Sequence, residues 1–296
     1  MPTVRDLRDR IRSLKNTQQI TKAMKQVAAA KIRRAEIAQR KARPYADALA
    51  EMLADLIAAV GAIDHPFMKP GREGAPPGII LLTADKGLAG AFNSNVIHAA
   101  EAIARRQSGI RYYTIGLKGR NAVRRMAPGD RPSWPLGAAA KIDTARAVAR
   151  RAADDFTSGA ISEIVLVSQR LISMMSQRPQ TRKLVPVLSE DVAALGGNDA
   201  DAKQTEKQRG AMEFAPSPEF VLSKLLPKYL EFTIYSAMLE TDAAFFAAQI
   251  VAMTNATDNA SKLIDELTIQ MNNARQAAIT KELLEIVAGA EALGVA

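Results

Sequence analysis

Few side chains in this sequence are of the kind that does chemistry. Cysteine is absent, which removes disulfides, thiolate metal sites, thiol nucleophiles and thiol switches together. Only two histidines, His65 and His98, remain for acid–base or metal work, and their separation in sequence fits ordinary surface or cap residues. The stretch Ala84-Asp85-Lys86-Gly87-Leu88-Ala89-Gly90 follows a strand-like run. Such a loop invites a phosphate, because backbone amides at a helix N-terminus attract anions. It has neither the GxxxxGK[ST] order nor GxGxxG, so a structural turn is expected. Glu282 and Glu285 lie three apart on one helical face, which suits a charged surface better than an acid–base pair. Lys118, Arg120, Arg124 and Arg125 fit a solvated helix face. No residue is assigned to catalysis, to a cofactor or to a metal.

Charge carries more information. The 296 residues have a formal net charge of +9. Residues 1–50 hold 13 Lys or Arg against four acids (Asp6, Asp9, Glu36 and Asp47). The whole excess therefore sits in the first 50 residues and points to an acidic partner for that element. Nucleic acid is the sharp alternative, but no aromatic precedes Tyr45 and the cations circle the apolar stripe instead of gathering in one strip. An adaptor or nucleic-acid-binding role is the runner-up, and an independent enzyme on the central segment is third.

No N-terminal segment has the basic, apolar, small-residue order of a signal peptide. The longest apolar stretch, Ala243 to Met253, is too short to span a bilayer. A protein kept on the cytoplasmic side is expected, with any membrane association made through a partner.

The elements that position these residues fall into a pattern of rod, sheet and rod. Residues 1–60 read as one helix, which Pro44 bends without ending. Ala35, Ala38, Ala42, Tyr45, Leu49, Met52, Leu56 and Ala59 step by three and four, the signature of a coiled-coil seam. A second stripe, Val4, Leu7, Ile11 and Leu14, suggests that the seam drifts around the helix. Residues 61–77 form a Gly- and Pro-rich linker. Residues 78–188 alternate strand and helix: Gly78 to Thr83, Asn95 to Arg106, Tyr112 to Ile115, Lys118 to Met126, Asp143 to Phe156 and Glu163 to Ser168, with a further strand at Lys183 to Leu188. This predicts a small, at least partly parallel sheet covered by helices. Residues 189–217 are polar and read as a mobile linker.

Residues 218–296 read as an uninterrupted helix nearly to Ala292. Its seam of small residues is Ala256, Ala260, Leu263, Leu267, Gln270, Ala274 and Ala277. Alanine facing alanine lets two backbones approach closely, and a chain that leaves and returns this way makes the two rods antiparallel.

The C-terminal stretch Ile279-Thr280-Lys281-Glu282-Leu283-Leu284-Glu285-Ile286-Val287-Ala288-Gly289-Ala290 matches a family pattern. With IRSLKNTQQITKAMKQVAAAKIRRA near the N-terminus and LLTADKGLAGAFNSN in the middle, the sequence resembles the gamma subunit of F-type ATP synthase, of bacterial type. The resemblance implies an α/β fold, a long antiparallel coiled coil of N- and C-terminal helices with an inserted Rossmann-like domain. It implies a non-catalytic central-stalk rotor without cofactors, coupling proton flow through the c-ring to ATP synthesis or hydrolysis at the beta-subunit sites. The implied partners are three alpha and three beta subunits, epsilon and the c-ring, at the cytoplasmic face of the bacterial plasma membrane.

Met24, Lys25, Arg275, Gln276, Thr280 and Glu282 are the implied beta-subunit contacts. Ala288 to Ala296, with Glu291 as its only charged side chain, would be the bearing tip. Gln249 stands where relatives often carry Arg, so no charged contact carries over there. The lack of cysteine excludes the thiol control found in some photosynthetic relatives.

Overall fold

The computed structural model describes residues 3–60, 65–107, 109–126, 131–137, 140–187 and 217–294. The element order is α1 (Val4–Val60), a short 3-10 turn (Pro66–Met68), β1 (Gly78–Leu82), α2 (Phe92–Ala104), β2 (Arg111–Ile115), α3 (Leu117–Met126), β3 (Ser133–Trp134), α4 (Lys141–Thr157), β4 (Ile164–Ser173), β5 (Ser176–Val185) and α5 (Pro218–Gly294). The chain divides into two compact units. One is Met1–Ala29 with Gln249–Ala296, and the other is Ala30–Ala248.

The second unit contains a five-stranded sheet of order β3-β2-β1-β4-β5. β1, β2, β3 and β4 run parallel, and β5 returns antiparallel on β4. That order is the Rossmann-like winding, with its reversal point between β1 and β4. The alternation along each strand sorts the core into two layers. Ile79, Leu81, Tyr112 and Val165 face α2 and α3 through Val96, Ala100 and Val123. Ile80, Leu82, Tyr113, Ile164 and Leu166 share a core with Ala145, Val148, Ala149 and Phe156 of α4, Leu53 and Leu56 of α1, and Leu222, Leu230 and Ile234 of α5. A strand buried on both faces reads as the continuous apolar run GIILL. β3, only two residues long, gives no such signal. β5 starts at Ser176, seven residues before the expected Lys183–Leu188 strand, and ends within it at Val185, because the polar, half-exposed first part of this edge strand has no apolar run to announce it. Leu188 lies outside the described residues.

Both terminal helices run as the sequence pattern predicts, and each contains a proline. Pro44 lies inside α1 and Pro227 inside α5, so the run expected to be uninterrupted from Pro218 carries a second helix breaker. Each ring removes one backbone hydrogen bond.

Burial along α1 follows one seven-residue repeat. Leu7, Thr21, Ala28, Ala42, Leu49 and Leu56 are buried, and Leu14 and Ala35 half-buried. The two stripes expected to differ in register therefore share it, and the seam does not drift. The companion positions are Ile11, Ile32 and Leu53, all buried. Ala38 is half-buried, while Tyr45 and Met52, one position off this line, are exposed. The error arose because steps of three and of four both satisfy a heptad, and apolar residues happened to occupy the wrong offset.

Within the second unit, Lys31 lies over the Phe246 ring at 5.6 Å and Tyr45 stacks with Phe232 at 4.3 Å. As the number on α1 rises by 14, the partner's number on α5 falls by 14, so the helices are antiparallel.

Candidate functional site

The loop at the end of β1 lies at the reversal point of the sheet, where doubly wound folds bind ligands. Here the loop's own carboxylate takes the neighbouring amides. Asp85 Oδ1 accepts hydrogen bonds from the amides of Leu117 (3.0 Å) and Leu136 (3.2 Å), and Oδ2 accepts from Gly137 (2.8 Å). The Asp85 carboxylate thus sits on the N-terminus of α3 where a phosphate would sit. Asn93 ties the loop from the other side, accepting from the Ala84 amide and donating to the Lys86 carbonyl. Gly116, at φ +101°, lets α3 begin so close to β1 that a Cβ would lie 2.0 Å from the Thr83 carbonyl oxygen. The arrangement closes a turn and offers no anion hole.

The remaining candidates are equally structural. His65 Nδ1 accepts from the Phe67 amide and caps the 3-10 turn, and burial lowers its pKa. His98 is exposed on α2. Among the described residues no group of three His, Asp or Glu is placed to hold a metal. Glu285 is 3.5 Å from Lys281 on the surface of α5, and Glu282 is exposed. Tyr113 donates to Asp155 at 2.6 Å, and Arg111 approaches the same carboxylate at 3.1 Å. Burial pushes the Tyr113 hydroxyl far above its ordinary range, which makes it a fixed donor and not an acid.

What sets the chain apart is its pair of helices and their surfaces. In the first unit the hydroxyls of Thr21 and Thr257 lie 2.8 Å apart. On α5 the buried or half-buried line runs through Met253, Thr257, Ala260, Ile264, Leu267, Met271 and Ala274. Ala256 is half-buried beside it. Leu263 is 46% exposed and Ala277 is exposed, so neither belongs to this face. The threonines disguised the true second line, because a hydroxyl that bonds its own helix, as Thr257 does to the Met253 carbonyl at 2.7 Å, packs like an apolar group yet counts as polar in a sequence pattern.

All 13 cations of residues 1–50 are exposed. Met24 is half-buried and Lys25 exposed one step round the helix. Arg275, Gln276 and Thr280 are exposed on α5. With Thr21 beside Thr257, Met24 and Arg275 stand roughly 30 Å apart along the pair, so they form two separate levels and not one site. Beyond Ala274 every residue from Arg275 to Gly289 is exposed, including Ile279, Leu283, Leu284, Ile286 (66%) and Val287. α1 begins at Val4, and among the described residues no helix covers this end of α5. Contiguous exposed apolar surface of this kind marks an interaction site.

A profile of the family described as ATP synthase matches residues 3–293. The ATP synthase gamma chain of Heliobacterium modesticaldum is 39% identical over 295 residues, 99% of this chain and 100% of the relative. That of Phenylobacterium zucineum is 40% identical over 300 residues, again 99% of this chain and all of the relative.

The chain belongs to the ATP synthase gamma chain family.

Among solved structures, a chain of the Euglena gracilis mitochondrial ATP synthase (OSCP, F1 and c-ring, rotational state 3) superposes with a TM-score of 0.66 at 17% identity. The match covers 98% of this chain and 94% of that one. A chain of the Tetrahymena thermophila central stalk and c-ring gives 0.58 at 21% identity, covering 80% and 99%. These likenesses show that the chain shares its fold with chains of those complexes. The LLTADKGLAGAFNSN block of the gamma chain family thus encodes a self-tied turn in this chain. Four charged residues that bind α4 to α5, Lys141, Arg146, Glu231 and Asp242, escaped sequence analysis. Their signal was present: the acids Glu231, Glu240 and Asp242 stand in a stretch of α5 that has no Lys or Arg between Lys228 and Lys262.

Proposed function

We propose that this gamma chain works as the non-catalytic rotor of its ATP synthase and carries torque while the chemistry happens on the beta subunits. The chain is the central-stalk subunit, and its partners are the alpha and beta subunits, epsilon and the c-ring. Proton flow turns the c-ring and this shaft together, and the turning shaft drives each beta site in sequence through binding, synthesis and release. No helix among the described residues is long and apolar enough to cross a membrane, and the proposal places the chain's attachment through the complex, at the cytoplasmic face of the plasma membrane.

The observation that carries the proposal is the end of α5 beyond Ala274, exposed on every side and carrying the large apolar side chains Ile279, Leu283, Leu284, Ile286 and Val287 among its polar ones. Alone in water such a surface is a liability, whereas inside a ring of subunits it is a bearing. Thirteen exposed cations on α1 suit the acidic loops of a surrounding partner. Within this function Met24 and Lys25 form one contact level with the beta subunits, and Arg275, Gln276, Thr280 and Glu282 the other. The working parts divide at residues 1–60, 78–188 and 218–296, joined by 61–77 and 189–217.

Gentle purification of the tagged chain from its own host tests this. Alpha and beta subunits should come with it in equal amounts. Their absence would refute the rotor assignment.

A further inference from the structure

We propose that two ion pairs between α4 and α5, Lys141–Asp242 and Arg146–Glu231, form the register lock through which the sheet passes torque to the shaft helix. Lys141 Nζ lies 2.8 Å from Asp242 Oδ2, with the two side chains 17% and 20% exposed. Arg146 Nε lies 2.8 Å from Glu231 Oε1, and the Glu231 side chain is only 10% exposed. The second carboxylate oxygen of Glu231 takes Lys228 at 3.2 Å, while Arg146 Nη1 also holds Asp143 at 3.0 Å. Lys141 further donates to the Leu136 carbonyl. Each charge is therefore built into a network and not left to chance at a surface.

Spacing gives the pairs a purpose. Glu231 and Asp242 are eleven residues apart, three turns of helix, so they lie on one face of α5 about 16 Å apart. Lys141 and Arg146 are five residues apart on α4, about 7.5 Å. Beside the pairs the contact is apolar: Ala145, Val148 and Ala149 share a core with Leu230, Ile234 and Met238. Apolar packing opposes separation but has no preferred direction along the helix axis. Two charged contacts at different heights fix both the height and the rotation of α4 on α5, the register role best attested for buried charges. A shaft gripped by grease alone would slip under load, and these pairs resist the slip.

This inference rests on the rotor function, and the experiment separates the two. Whole ATP synthase is assembled with the parent chain in vesicles, and both hydrolysis and gradient-driven synthesis are measured. If the parent chain does not assemble with alpha and beta subunits, the rotor function itself fails. With the parent active, the Lys141→Gln/Arg146→Gln variant should assemble and hydrolyse ATP within about twofold of the parent, where little torque is resisted, yet lose synthesis by about fivefold. Unchanged synthesis, or equal loss of both rates, would overturn the lock. A second variant, Arg146→Cys/Glu231→Cys, uses the absence of any other cysteine in the chain. Bridging the two thiols with a bis-maleimide should restore synthesis in the same sample that lacks it unbridged, and failure to restore it would equally overturn the proposal.

Discussion

Thr21 on α1 and Thr257 on α5 place their hydroxyl oxygens 2.8 Å apart at a part-buried point of the paired helices. Each hydroxyl also lies within reach of a carbonyl in its own helix, Thr21 to Gln18 at 3.0 Å and Thr257 to Met253 at 2.7 Å. With two protons and three contacts, one hydroxyl must accept from the other. The pair is a polar register mark in a seam whose other residues are Leu, Ile, Met and Ala.

Replacing either threonine by valine keeps the shape and removes the bond between the hydroxyls, leaving the other threonine only its own-helix carbonyl. Thr257→Val should lower the stability of the isolated chain by about 1–2 kcal/mol. The Thr21→Val/Thr257→Val double variant should cost less than the sum of the singles, because each single already removes the same bond between the hydroxyls. Denaturant unfolding of the four proteins closes the cycle.

Asp85 supplies the charge that the N-terminus of α3 needs. Asp85→Ala frees the amides of Leu117, Leu136 and Gly137 and should destabilise the chain by about 2 kcal/mol. Sulfate should then recover part of the loss in the variant and do less for the parent, read as the shift in melting temperature on adding the salt. An equal response in both would show that the carboxylate is not standing in for an anion.

Glu240 gives the pH dependence. Burial raises its pKa, against the opposing pull of the Leu171 amide and of Arg170 and Arg182. A carboxyl whose native pKa exceeds its unfolded value costs stability when both states are ionised, and that cost is relieved as pH falls through the native pKa towards the unfolded one. Glu240→Gln should therefore be more stable than the parent at neutral pH. The gap should narrow as pH drops into and below the ordinary carboxylate range, which a series of thermal melts across that range would reveal.

Ala274 and Ala277 separate packing from function. Ala274 is half-buried against the rod and Ala277 is exposed beyond it. Ala274→Trp should lower the melting temperature of the isolated chain by overpacking, at a cost of about 1–3 kcal/mol. Ala277→Trp should leave it within about 0.5 kcal/mol of the parent yet reduce coupled synthesis in the assembled enzyme, where that surface meets the surrounding ring. Unimpaired synthesis with Ala277→Trp would show that this level of α5 touches nothing as it turns.

The amino-acid sequence by itself determined the rods, the inserted α/β segment and the family. Long helices announce themselves through heptad spacing and lack of breakers, and inner parallel strands through unbroken apolar runs such as Gly78 to Leu82. These are local signals, repeated often enough to survive a Pro44 or a Pro227. Tertiary structure alone decided which heptad offset faces inward, leaving Tyr45, Met52 and Leu263 outside. It also decided that Asp85 closes its own loop and that Lys141 and Arg146 meet Asp242 and Glu231. Such choices depend on the partner's position across tens or hundreds of residues. A carboxylate looks the same in sequence whether it faces water, an amide nest or a buried ammonium.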